Sequence, residues 1–271
     1  MVILLGICGG CTDFRVAEAH ADADRIAKGA GFSSSVMDSA PFELLTYQRV
    51  NPAGDTVVVY FEGDGLAWIN RGQVSDNPTP TDPVALRLAA ADDAPTIVYL
   101  ARPCQFVAGT ERRNCDPKYW TTARFAPEIV AASDRVIDLI KAATAKHKVE
   151  LIGFSGGGVL ATLIAARRTD VGRVITVAAN LDLDYWTSYH DVTPLFQSLK
   201  PTDFTASLAQ VIQIMFVGDR DDNVPPSIAA HYRASLPADA RASIISIPNF
   251  SHQCCWADAW PNLLREARSV Q

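Results

Sequence analysis

Val149-Glu150-Leu151-Ile152-Gly153-Phe154-Ser155-Gly156-Gly157-Gly158 is an apolar stretch that runs into glycines and then into Val159-Leu160-Ala161-Thr162-Leu163-Ile164-Ala165-Ala166-Arg167. The first part reads as a buried strand and the last as a buried helix, which puts Ser155 on the turn between them. Gly153 and Gly157 flank the serine two residues away on either side. Glycines at these positions let the strand and the helix approach each other closely at the turn. A strand that returns as a helix is the repeating unit of a mostly parallel α/β sheet.

The flanking sequence supplies more such units. Upstream, Ala126 to Lys146 places Ile129, Val136, Ile137 and Ile140 on one face at helical spacing, so it reads as the crossover helix feeding the Ser155 strand. Thr96–Leu100 is a strand, and Asp82-Pro83 opens a helix through Ala90 with a capping Asp and a Pro at the first helical position. Phe42–Gln48 and Thr56–Phe61 are strands by their β-branched and aromatic content, and Asn51-Pro52-Ala53-Gly54 between them predicts an antiparallel pair. Asp13 to about Lys28 is a surface helix stopped by Gly29-Ala30-Gly31. Downstream, Arg173–Ala178, Val211–Val217 and Ala242–Ile247 are strands, and the tail to Val270 is a closing helix. Residues 180–210 hold no long helical pattern, so any cap over the serine is small.

At 271 residues with no Pro- or Ser-rich linker and no charge run, residues 12–271 read as one domain. The net charge of −6, without a basic stripe, argues against nucleic acid as a partner; Glu111-Arg112-Arg113 reads as a solvated loop. No apolar run approaches the ~20 residues that span a bilayer. The first 11 residues stand apart. Met1–Ile7 is apolar and precedes Cys8-Gly9-Gly10-Cys11, which looks like the end of a bacterial lipoprotein leader with Cys11 as the lipidated residue; a short buried strand is the alternative. That reading predicts membrane attachment through an N-terminal lipid and a place in the bacterial cell envelope or outside the cell. Of the remaining cysteines, Cys104 and Cys115 close a short loop and are the first pairing to expect; Cys254 and Cys255, being adjacent, form either a vicinal disulfide or two thiols. Nothing in the mature region has zinc-ligand spacing, so no metal is expected.

Three further loops follow strands and carry polar residues. Gly218-Asp219-Arg220-Asp221-Asp222-Asn223-Val224-Pro225 follows the penultimate strand, Pro248-Asn249-Phe250-Ser251-His252 follows the last, and Glu62-Gly63-Asp64-Gly65-Leu66-Ala67-Trp68 follows Thr56–Phe61. Ser155, Asp221 and His252 therefore come in that order, each just beyond a strand. Asp182, Asp219 and Asp222 are rivals to Asp221, and His190 is the rival to His252. Trp68 with Asn77-Pro78-Thr79-Pro80 is either a wall of a cleft or a loop packed over the sheet edge.

The strand order, the Gly-x-Ser-x-Gly turn and the Asp221 and His252 loops resemble the α/β-hydrolases over nearly all of residues 42–268. The resemblance implies an α/β-hydrolase fold with helices on both faces of the sheet. It further implies Ser155 as nucleophile, His252 as base, Asp221 as the residue that orients it, and no cofactor. It places backbone oxyanion donors at Gly156 and at Asp64 or Gly65, although Glu62-Gly63 stands where His-Gly is usual in the family. A small-molecule or lipid ester is the implied substrate class. A peptidase, thioesterase or acyltransferase would use the same residues, and a non-catalytic envelope binding protein on this scaffold is the alternative outside enzymes. A disulfide at Cys254–Cys255 would rigidify the His252 loop.

Overall fold

The structure is a computed structural model that describes residues 9–270. The apolar run Met1–Ile7 and Cys8 of the leader pattern lie outside the described residues. Helix α1 spans Gly9–Gly29, so the helix expected from Asp13 begins earlier and its backbone includes Cys11. It ends as expected where Gly31 adopts a φ of +77°.

From there the chain lays down β1 (Ser33–Ser39), β2 (Phe42–Arg49) and β3 (Thr56–Phe61), then a small hairpin of β4 (Trp68–Asn70) and β5 (Gln73–Val74). Helix α2 (Val84–Ala90), β6 (Ile97–Leu100), α3 (Pro127–Thr144), β7 (Lys148–Phe154) and α4 (Gly156–Ala165) follow. The last third holds β8 (Val171–Val177), α5 (Leu183–Tyr189), α6 (Thr205–Leu208), β9 (Ile212–Gly218), α7 (Pro226–Ser235), β10 (Ala242–Ile247) and α8 (Trp256–Ser269). The main sheet has eight strands in the order β1-β2-β6-β3-β7-β8-β9-β10, and from β6 to β10 all neighbours are parallel.

The expected antiparallel pairing of Phe42–Gln48 with Thr56–Phe61 does not occur. The antiparallel partners of β2 are β1 and β6, and β3 lies one strand further on, parallel to β6 and β7. The physical reason is that β2 is buried along most of its length and needs a neighbour on each side. On one side it takes the serine-rich, largely exposed edge strand β1, whose polarity hides it from a hydrophobic pattern. On the other, the Asn51–Gly54 turn carries the chain past the place that β6 later fills.

Apolar side chains cover both faces. Ile129, Val136, Ile137 and Ile140 of α3 are buried with α4 against one face, and α4 is buried at every position, as its all-round apolar sequence demands. Ala23 and Ala27 of α1, Leu86 and Leu88 of α2, and Trp256, Trp260 and Leu264 of α8 cover the other. Helix α2 starts one residue after Pro83, which is its N-cap, and Asp82 pairs with Arg87 at 2.7 Å instead of capping. Between β8 and β9 only two short helices and a 3₁₀ turn at Pro201–Phe204 intervene, so the cap is small. Cys104 and Cys115 are disulfide-bonded with their Cα atoms 5.5 Å apart, and Cys254 is bonded to Cys255. Among the described residues no helix is long and apolar enough to cross a membrane.

Candidate active site

Ser155 sits between β7 and α4 with φ 50° and ψ −125°, a conformation that non-glycine residues rarely adopt and that costs of order 1–3 kcal/mol. The surroundings enforce it. Ser155 N–H donates to Val177 O at 2.8 Å, tying the turn to β8, and Gly158 N–H donates to Ser155 O at 2.9 Å. A Cβ on Gly153 would stand 2.3 Å from Gly157 C, and one on Gly157 would stand 2.2 Å from Phe61 O. The two glycines of the turn are thus required by contact between β7, α4 and β3.

His252 reaches this serine from the loop after β10. Its Nε2 is 3.2 Å from Ser155 Oγ, and its Nδ1 is 2.8 Å from Asp221 Oδ2. Asp221 is 2% exposed. Its Oδ1 accepts from the N–H groups of Asn223 at 2.9 Å and Val224 at 2.7 Å, which leaves Oδ2 for the histidine. A carboxylate only accepts, so it selects the imidazole tautomer with the proton on Nδ1. Nε2 then carries the lone pair and faces the serine O–H. Trp256 Nε1 donates to His252 O at 3.0 Å, and the Phe154 ring lies 5.2 Å from the imidazole. The three residues that the strand ends suggested are therefore one hydrogen-bonded chain.

The rivals are engaged elsewhere. Asp219 accepts from Asn249 N–H at 2.6 Å, Asp222 is exposed, and Asp182 caps α5 through Tyr185 N–H and pairs with His231 at 2.6 Å. His190 Nε2 faces Asn223 O at 2.7 Å, and its partners do not include Ser155.

Two backbone segments meet at the serine turn. Gly156 opens α4, where the N–H has no acceptor one turn back in the helix. The loop after β3 is the other. Among the described residues the N–H groups of Asp64 and Gly65 have no acceptor, while Leu66 N–H donates to Pro78 O at 3.1 Å. Gly65 has a φ of +67° and its missing Cβ would fall 2.0 Å from Pro78 O, so glycine is obligatory there. Asn77–Pro80 is buried against this loop, as a packing segment rather than a free wall; Trp68 remains 43% exposed on the hairpin beyond it.

Some of the site escaped the sequence reading. The Asp64 carboxylate receives Arg102 Nη1 at 3.0 Å and Arg124 Nη1 at 2.5 Å, two arginines 22 positions apart that no local pattern joins. Gln105 Nε2 donates to Gly63 O at 2.9 Å, which links the Cys104–Cys115 loop to the same place. Glu62 is buried at the end of β3. Burial pushes its carboxyl up from 4.5 to about 7, against the opposing effect of the Gly63 N–H that bonds it at 2.8 Å. No cluster of metal-ligating side chains occurs among the described residues.

No family model matches the chain, and no curated protein does. Solved structures do. A membrane phospholipase A described as a bacterial virulence factor superimposes with a TM-score of 0.59 at 16% identity, covering 98% of this chain and 96% of its own. An α/β serine hydrolase homologue from Coxiella burnetii gives 0.58 at 16% identity, over 88% of this chain and 97% of its own. An α/β serine hydrolase without a lid from Xanthomonas campestris gives 0.55 at 15% identity, over 87% and 94%. With its strand order, its serine turn and these superpositions, the chain has the α/β-hydrolase fold.

Proposed function

We propose that the protein is a serine hydrolase that cleaves a carboxylic ester through an acyl-enzyme. The observation that carries this reading is the chain from Ser155 Oγ through His252 to the buried Asp221. Such a chain answers a specific chemical need. A serine hydroxyl is a poor nucleophile at neutral pH, and an imidazole held in the right tautomer removes its proton as it attacks the carbonyl. The imidazolium that forms is stabilised by Asp221. The oxyanion of the tetrahedral intermediate is received by Gly156 N–H and by the N–H of Asp64 or Gly65; one such donor contributes roughly 3 kcal/mol to the transition state. His252 then protonates the leaving alkoxide, and water, activated in the same way, releases the acid. The intact set of three argues against a binding protein that has lost its chemistry.

Hydrolysis of p-nitrophenyl esters from acetate to palmitate, with Ser155→Ala run alongside, tests the reading. Activity abolished by the substitution supports it, and the chain-length optimum defines the acyl pocket. Ester hydrolysis that survives in Ser155→Ala contradicts it. The same proposal includes an envelope location, on the Cys8–Cys11 pattern together with the Cys104–Cys115 bond. Palmitate labelling lost in Cys11→Ala supports lipidation; unchanged labelling removes it.

A further inference from the structure

The loop from Glu62 to Gly65 is held by more charge than a connection between a strand and a hairpin requires. Asp64 is its centre. Its carboxylate lies between Arg102 and Arg124, whose side chains are only 5% and 9% exposed. Each guanidinium is anchored in turn: Arg102 Nη2 donates to Arg124 O, Arg124 Nε donates to Thr121 O at 2.9 Å, and Arg102 lies over the Phe125 ring at 4.9 Å. Burial alone would raise the Asp64 carboxyl; the two cations outweigh it and hold the group below the ordinary carboxylate range. While the neighbouring Glu62 keeps its proton, up to about pH 7, two cations against Asp64 leave a net charge of +1 in a largely buried place, an arrangement that apolar packing would replace at lower cost.

The position of the carboxylate explains what the arrangement does. A Cβ on Gly156 would fall 2.1 Å from Asp64 Oδ1, so the carboxylate occupies the space beside the backbone of the residue that follows Ser155. Through its side chain Asp64 touches one peptide of the serine turn. Its own main-chain N–H and that of the next residue, Gly65, are without an acceptor among the described residues. The loop is fixed at three further points, by Glu62 Oε1 on Gly63 N–H, by Gln105 on Gly63 O, and by Pro78 O on Leu66 N–H.

We propose that Asp64 is a positioning residue for oxyanion binding: clamped by Arg102 and Arg124 against Gly156, it aims the main-chain N–H groups of Asp64 and Gly65 at the point that Gly156 N–H also faces. This deepens the ester-hydrolase reading and rests on it. Preorganised donors are effective because they do not reorganise as charge develops, and a clamp of three ionised groups supplies that rigidity. The sign of one substitution separates positioning from a through-space field. Asp64→Asn raises the buried charge from +1 to +2, which by field alone favours a developing oxyanion and speeds the reaction. Loss of aim slows it. A role in folding alone lowers the number of active molecules and leaves the turnover of each unchanged.

The test is kcat per active site, titrated with a fluorophosphonate, for the parent, Asp64→Asn and the double variant Asp64→Asn/Arg102→Gln, which returns the cluster to +1 without the clamp. The expected result is a fall in kcat of about 30-fold, equivalent to about 2 kcal/mol, in both variants, with KM within roughly threefold. Affinity for a boronic acid, which mimics the tetrahedral intermediate, falls in parallel with kcat. Titrated kcat that stays within roughly threefold of the parent, or rises in Asp64→Asn, overturns the proposal. If Asp64→Asn does not fold, Asp64→Glu keeps the charge and displaces the carboxylate. A slow Glu variant then supports the clamp and a full-speed one overturns it. A parent that neither titrates nor turns over any ester removes the hydrolase reading itself, and the clamp falls with it.

Discussion

Replacing Glu62 by Gln changes the pH dependence of stability by an amount that its environment determines. Glu62 lies at the end of β3, 1% exposed, with Oε1 bonded to Gly63 N–H and Oε2 without a hydrogen-bond partner among the described residues. Burial disfavours the charged form, so the folded protein holds the proton up to about pH 7, whereas the unfolded chain releases it near 4.5. The folded state therefore binds more protons than the unfolded state between these values, and stability falls as pH rises through that window. Below about 4.5 the contribution is fully present; above about 7 it is gone. The span from 4.5 to about 7 corresponds to about 3 kcal/mol. Gln keeps the shape, cannot ionise and removes this dependence. Urea unfolding of parent and Glu62→Gln at pH 4.5 and pH 8.5, with disulfides intact, isolates the effect because other titrating groups cancel in the difference. The variant gains about 3 kcal/mol on the parent between the two conditions. A difference between the two proteins that stays flat with pH refutes the argument that Glu62 is held neutral by burial.

Three other outcomes follow from the geometry. Asp221→Asn keeps the volume but presents an amide that need not accept from His252 Nδ1; kcat for ester hydrolysis falls about 10³–10⁴-fold, and a loss under tenfold in steady-state kinetics contradicts the assigned tautomer. Gly157→Ala puts a methyl 2.2 Å from Phe61 O, a backbone atom that cannot step aside, and lowers stability by about 3 kcal/mol in urea unfolding; an unchanged midpoint contradicts the contact. Cys104→Ser/Cys115→Ser opens a loop with a sequence separation of 11 and destabilises the fold by about 3 kcal/mol, read as a lower Tm without reductant; an unchanged Tm contradicts it.

Much of this molecule was legible because its central strands are short, apolar and punctuated by glycine. Lys148–Phe154 and Gly156–Ala165 are buried almost throughout, and their pattern is a one-dimensional property of the chain. Ser155, Asp221 and His252 could be picked out because each closely follows a strand in a parallel sheet, whose carboxyl ends come together at one edge. What stayed hidden depends on three dimensions. Ser33–Ser39 has no apolar alternation, and its strand exists because β2 offers an edge to pair with. The place of β6 between β2 and β3 is a topological choice that local propensity does not encode. Arg102 and Arg124 look like isolated loop residues in the sequence, while the conspicuous Arg112-Arg113 pair lies away from Ser155, with Arg113 on Asp38 and Glu43. Buried charge clusters of this kind draw their members from distant segments, so the fold must be known before they can be seen.

The most direct measurement on the central claim is reaction of the parent and Ser155→Ala with a fluorophosphonate, followed by peptide mapping. The account predicts one adduct per chain on Ser155 and none in the variant. A parent that takes up no label, or that carries it on another residue, contradicts the assignment of Ser155 as the nucleophile.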